Sequence, residues 1–182
     1  MKYDPAVHHR RSIRLANYDY TQAGAYFVTI VVYQRVCLLG NIQNGVMRPG
    51  EYGHIVGEEW FKTAALRPYV RLNPDEWVIM PNHVHGIIWL VEDGAVGGRR
   101  RRPSTTEAFG KPVVGSIPTI VRSFKSATTR RINALHHSPG APFWQRNYYE
   151  HVIRTEVELS RIRRYIQENP LRWEQDAERP SE

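Results

Sequence analysis

Two histidines separated by one residue, His83 and His85, offer the first chemistry in this 182-residue chain. They follow Trp77, Val78, Ile79 and Met80 and precede Ile87, Ile88, Trp89 and Leu90, a run rich in β-branched and aromatic residues. Residues i and i+2 of a strand share one face. Two neutral imidazoles on one face present two nitrogen donors to one divalent ion. Such a pair can equally face solvent or hydrogen-bond in place. By itself it is half a metal site.

Candidates for the other half stand on the last helix. Thr155-Glu156-Val157-Glu158 is a capping box that opens it, and Pro170 ends it near Asn169. Leu159, Ile162 and Ile166 make its packing stripe. Tyr165 and Asn169 are i and i+4, one turn apart on one face. They could be a core tyrosine and a plain helix C-terminal residue. They can also do two jobs: a phenolate that attacks phosphorus to give a covalent phosphotyrosine, and an amide oxygen that serves Mg²⁺ or Mn²⁺ as a third ligand. Tyr148 and Tyr149 are rival nucleophiles. They lie in an extended segment with no ligand partner at helical spacing, so packing or base stacking suits them better. His151 reads as a structural histidine, and Glu58 and Glu59 as solvent-facing residues of an earlier helix.

The elements that must position these groups alternate along the chain. Residues 25–34 form a strand, and residues 36–48 one or two short strands broken at Asn44-Gly45. A helix is predicted over 51–66, with Ile55, Val56, Trp60, Phe61 and Leu66 near one stripe. Residues 76–91 carry the histidines as two strand segments, or one with a bulge, because Pro81-Asn82 interrupts them. A second helix is predicted over 115–136, with Ile117, Ile120, Val121, Phe124, Thr128 and Ile132 on one side. Residues 143–153 are extended. The strand–helix–strand pattern occurs twice, as in a split βαβ arrangement. Residues 1–17 form a basic N-terminal arm. Residues 93–112, containing Arg99 to Arg102, form a basic insertion, and 174–182 a polar C-terminal tail.

Composition narrows the classes. One cysteine, Cys37, excludes an internal disulfide framework and a Cys-rich zinc module. The opening residues carry no apolar signal segment, and no stretch has the length of a membrane span. A cytoplasmic, nucleoid-associated protein is expected. The net charge of +7 and pI near 9.7 favour a polyanionic partner. Ten tyrosines and five tryptophans among basic residues suit unpaired bases. Arg122, Lys125, Trp144, Arg146, Tyr148, Arg163 and Arg164 are the candidate nucleic-acid contacts.

Taken together, several motifs resemble the single-tyrosine HUH transposases of the IS200-like superfamily, and most closely the REP-associated tyrosine transposases. They are Tyr26-Phe27-Val28-Thr29, Met80-Pro81-Asn82-His83-Val84-His85, Ser123-Phe124-Lys125, Phe143-Trp144-Gln145-Arg146-Asn147-Tyr148-Tyr149 and Tyr165-Ile166-Gln167-Glu168-Asn169-Pro170. They cover most of residues 18–173 in the family's order. The resemblance implies an α+β, ferredoxin-like antiparallel sheet, with helices packed on one face and a C-terminal catalytic helix. It implies His83, His85 and Asn169 as ligands of Mg²⁺ or Mn²⁺, and Tyr165 as the nucleophile. The activity implied is cleavage and joining of single-stranded DNA beside a hairpin, through a 5′-phosphotyrosine. Relatives act as homodimers or monomers, and the sequence does not choose. A histidine-triad hydrolase would require a third histidine where Ile87 stands. The alternative is a non-catalytic protein of the same fold that binds single-stranded DNA or RNA hairpins.

Overall fold

A computed structural model describes Leu15, residues 18–92 and residues 113–180. The expected N-terminal arm, Leu15 aside, and the basic insertion at 93–112 lie outside the described residues. In chain order the elements are β1 (Gly24–Val31), β2 (Gly40–Gln43), β3 (Val46–Pro49), α1 (Glu51–Ala65), β4 (Val70–Arg71), β5 (Trp77–Ile79), β6 (His83–Leu90), α2 (Ile117–Leu135), β7 (Tyr149–Ile153) and α3 (Glu156–Glu168). A 3₁₀ segment, Asn169–Gln175, continues directly from α3.

β1 is central. It pairs antiparallel with β6 on one side and β7 on the other, and β4 and β5 pair with the far edge of β6. β2 and β3 form a separate hairpin turned at Asn44-Gly45, both with positive φ. The architecture is thus the expected α+β antiparallel sheet with helices on one face and a terminal helix. The break at Pro81-Asn82 is a reversal: β5 folds back on β6, closed by Met80 N–H donating to His83 O at 2.8 Å.

Alternation along the strands gives the sheet two faces. Tyr26, Val28, Ile30, Val84 and Ile88 pack with Val56 and Trp60 of α1 and with Ile120, Val121, Phe124 and Ile132 of α2. Ala25, Phe27 and Ile87 pack with Leu159, Ile162 and Ile166 of α3. The stripe expected on α2 is buried throughout, whereas Phe61 and Leu66 of the predicted first stripe lie at the surface. Gly86 lets α1 sit close to the histidine strand. A Cβ there would lie 2.4 Å from the Trp60 ring.

One surface expectation fails. Glu59 is buried, because α2 covers its side of α1, and Arg131 donates to it at 2.9 Å while also pairing with the exposed Glu58. A paired carboxylate can be buried where a lone one cannot. The capping box of α3 is half realised. Thr155 Oγ1 accepts from Glu158 N–H, but the Glu158 carboxylate reaches one residue further back, to Arg154 N–H, and also meets His151 at 2.7 Å.

Candidate metal and nucleophile site

The register Thr29↔His85 and Val31↔His83 sends both histidines to the α3 face of the sheet. Their Nε2 atoms lie 3.0 Å apart. Two metal–nitrogen bonds of about 2.1 Å at a right angle would separate their nitrogens by about 3 Å.

Partners on the opposite ring nitrogens set the tautomer of His83 and accommodate the same one in His85. Asn82 Nδ2 donates to Arg35 O at 2.9 Å and to Glu178 O at 2.6 Å, so its Oδ1 can only accept. That oxygen sits 2.8 Å from His83 Nδ1, which must carry the hydrogen. His83 Nε2 is therefore a lone pair. His85 Nδ1 lies 2.8 Å from Thr29 Oγ1, and donation there leaves His85 Nε2 a lone pair as well. With both lone pairs turned inward, a cation between them at this separation would be ligated by both rings. Burial keeps the rings neutral: it pushes His83 down to about 4 against the opposing pull of Asp176. Burial, and then the neighbouring His83, push His85 well below the ordinary histidine range.

α3 brings Tyr165 to this point. Its Oη lies 3.2 Å from His85 Nε2, and the two rings are 5.1 Å apart. Tyr165 is 44% exposed, open to a substrate. Burial of its inner part raises its pKa, the Asn169 amide facing it works the other way, and Asp176 and Glu178 add to the rise. Asn169 is buried, and among the described residues its Oδ1 has no hydrogen-bond partner. An orphaned buried carbonyl oxygen costs about 1–3 kcal/mol. An amide oxygen and two imidazole nitrogens are donor types that suit a divalent cation.

α3 is held in place by a carboxylate that sequence reading did not single out. Glu76 is buried in the turn before β5. It accepts from Arg163 Nε at 2.8 Å, Trp89 Nε1 at 2.6 Å and Asn73 Nδ2 at 2.6 Å. Arg163 lies two residues before Tyr165, so this contact ties the Tyr165 helix to the histidine strand. The guanidinium proposed as a DNA contact is thereby engaged with a carboxylate. Asp176 was also missed: its carboxylate and the two histidines place one ligand atom each within 4.8 Å of one another. So were Thr29 and Asn82. Asn82 stands in the quoted motif beside the histidines, and its short amide next to His83 is the one local signal available.

The remaining candidate contacts divide. Lys125, Trp144 and Arg146 line one cleft of about 810 Å³ between α2 and the loop before β7, on the side of the sheet away from Tyr165. Trp144 is buried there, its indole N–H donating to Thr128 Oγ1 at 2.7 Å, so its ring serves the core. Lys125 donates to Gln145 O and Arg146 O, and burial lowers its pKa to about 8. Arg122, Arg146 and Arg164 are exposed. The Tyr148 hydroxyl donates to Glu150. Tyr149, on the site face, is exposed and its ring centroid lies 6.2 Å from that of Phe27.

A strand-borne histidine pair, a helix-borne tyrosine and this sheet define a class, and comparison with known proteins names the fold. A solved REP-associated tyrosine transposase bound to a REP hairpin superposes with a TM-score of 0.56 at 21% identity, covering 88% of this chain and 74% of that one. A putative transposase from Deinococcus radiodurans R1 aligns with a TM-score of 0.46 at 18% identity, over 85% of this chain and 95% of the other. No family profile matches the chain. An uncharacterised protein of Haemophilus influenzae Rd is 44% identical over 178 residues, 96% of each chain. The chain belongs to the family of that Haemophilus protein, and its fold is that of the REP-associated, IS200-like tyrosine transposases.

Proposed function

We propose that the protein is a metal-dependent, transposase-like enzyme that nicks and joins single-stranded DNA beside hairpins through a covalent 5′-phosphotyrosine. The observation that carries this reading is the 3.2 Å approach of the Tyr165 oxygen to His85 Nε2, at the mouth of a two-histidine donor pair. The fold it shares with a transposase bound to a REP hairpin supports hairpin DNA as the partner.

His83, His85 and Asn169 would hold the ion, Mg²⁺ or Mn²⁺. When bound, it supplies positive charge to the non-bridging oxygens of the scissile phosphate. The chain's own groups do the rest. Asn82 and Thr29 hold the imidazoles with their lone pairs inward. Asn169 faces the phenol and favours its ionised form. The Tyr165 oxygen attacks phosphorus while the bond to the 3′ oxygen breaks. The phenolic proton passes to water, and the departing 3′ oxygen takes one up. The product is a 5′-phosphotyrosine and a free 3′-OH. The phosphoester is conserved, so another 3′-OH can reverse the step and join strands. Tyr149, exposed and set edge-on against the buried Phe27, offers an aromatic face beside the site for unpaired bases. No helix among the described residues is long and apolar enough to cross a membrane. The reading places the protein with DNA in the cytoplasm, at the nucleoid, as a monomer or a homodimer.

The test is incubation with labelled single-stranded hairpin DNA and Mn²⁺, followed by denaturing electrophoresis. An adduct that survives SDS, and is lost in Tyr165→Phe and in EDTA, is expected. Hairpin binding without any adduct would leave a non-catalytic binding protein.

A further inference from the structure

We infer that Asp176 is a ligand of the same cation as His83 and His85, delivered by the C-terminal tail; this rests on the metal reading above. The tail expected to be a polar appendage packs across the histidines. After α3 the 3₁₀ segment carries Trp173 to within 6.1 Å of His83, ring to ring. Asp176 follows, its side chain only 7% exposed. One carboxylate oxygen, Oδ1, accepts from Glu178 N–H at 2.7 Å. The other, Oδ2, faces His83 Nε2 at 3.8 Å. That is too long for a hydrogen bond. It falls between the separations of about 3 Å and about 4.2 Å expected for two donors at right angles and opposite one another around one ion, with bonds near 2.1 Å.

Burial of this carboxylate beside neutral imidazoles calls for a positive charge. Of the guanidiniums on the tail's path, Arg35 is spent on Glu178 at 3.0 Å and Arg179 donates to Glu174 O at 3.4 Å. A divalent cation between Asp176 and the histidines supplies the charge. Asn82 links the two halves of the arrangement. Its Oδ1 sets the His83 tautomer, and its Nδ2 holds the tail through Glu178 O. Docking of the tail and readiness of the histidine are thus mechanically joined through one side chain. Two imidazoles, an amide oxygen and a carboxylate form a mixed nitrogen and oxygen set, which suits Mn²⁺ better than the oxygen-preferring Mg²⁺. The competing account is that Asp176 serves only as the acceptor of the turn to Glu178. Asp176→Asn separates the two, because it keeps that acceptor and removes the charge.

The experiment is calorimetric titration of Mn²⁺ into the full chain without DNA, with loss of the free-ion electron paramagnetic resonance signal as a second readout. Asp176→Asn and a chain ending at Gln175 are expected to bind Mn²⁺ at least about tenfold more weakly than the unaltered protein. Glu174→Ala, at an exposed neighbour, should bind as the unaltered protein does. Binding by Asp176→Asn and by the shortened chain within twofold of the unaltered protein would overturn the assignment and leave the histidine site standing. Failure of the unaltered protein to take up Mn²⁺ would overturn the metal reading itself, and Asp176 with it.

Discussion

The two faces of the sheet do different work. Among the described residues, twenty buried side chains form one apolar cluster behind it, toward α1 and α2, and six do in front, toward α3. Hydrophobic burial therefore concentrates behind the sheet. The front holds a thin apolar seam at one end and histidines, a phenol, an amide and carboxylates at the other. Side chains that make the fold stable and those that could react are thus separated by one layer of backbone, and the front helix relies on polar ties such as Glu76–Arg163 to hold its place.

The comparison can be broken from either side. The largest effect is expected from Tyr165→Phe: adduct formation on hairpin DNA should fall by at least about 10³-fold, as for loss of an essential nucleophile, with the melting temperature almost unchanged. His83→Ala, His85→Ala or EDTA should each reduce cleavage by about 100-fold or more while hairpin affinity, measured by fluorescence anisotropy, stays within about threefold. Behind the sheet the pattern should invert. Phe124→Ala should cost about 3–5 kcal/mol in urea unfolding, yet leave cleavage per folded molecule intact. Equal losses of cleavage and stability there would dissolve the distinction between the faces.

Smaller effects sharpen it. Glu76→Gln should slow cleavage about tenfold at saturating DNA, through misplacement of α3, with DNA affinity preserved. Its stability cost should be about 1–3 kcal/mol, less than for a fully buried pair because Arg163 is 40% exposed. The least is a pH effect in metal-free protein. His83 is held at about 4 when folded, below its ordinary value near 6.5. The unfolded chain therefore binds more protons between those values, and stability should decline as pH falls through that window. Thermal melts in EDTA from pH 7 to pH 4 should show the decline, and His83→Gln should lessen it, leaving the share due to His85.

Local rules made much of this legible. Period-2 alternation placed both histidines on one face, and i,i+4 spacing placed Tyr165 over Asn169. The 3.6-residue period places the α2 stripe, from Ile117 to Ile132, where the structure buries it. What escaped was long-range. Thr29 meets His85 across 56 positions, and Arg163 meets Glu76 across 87. Neither pairing leaves a periodic trace in the chain. Glu59 looked like a solvent-facing charge because nothing local announces Arg131. Trp144 reads as a candidate nucleic-acid contact because nothing local announces Thr128. Asp176 sits in a stretch whose polarity marks it as surface, and only the turn at Asn169–Gln175 carries it back to the histidines.

The short link from β7 into α3 has a consequence for tolerance to insertion. Ile153 ends the strand and Glu156 begins the helix, with Thr155 capping it, so the angular position of every later residue is counted from that start. One amino acid added between Glu156 and Arg164 would swing the phenol by about 100° around the axis. It would also carry the hydroxyl away from the imidazoles and push the Leu159–Ile166 seam off the sheet. The spacing from cap to tyrosine should therefore resist length change, even where the residues filling it are free to vary.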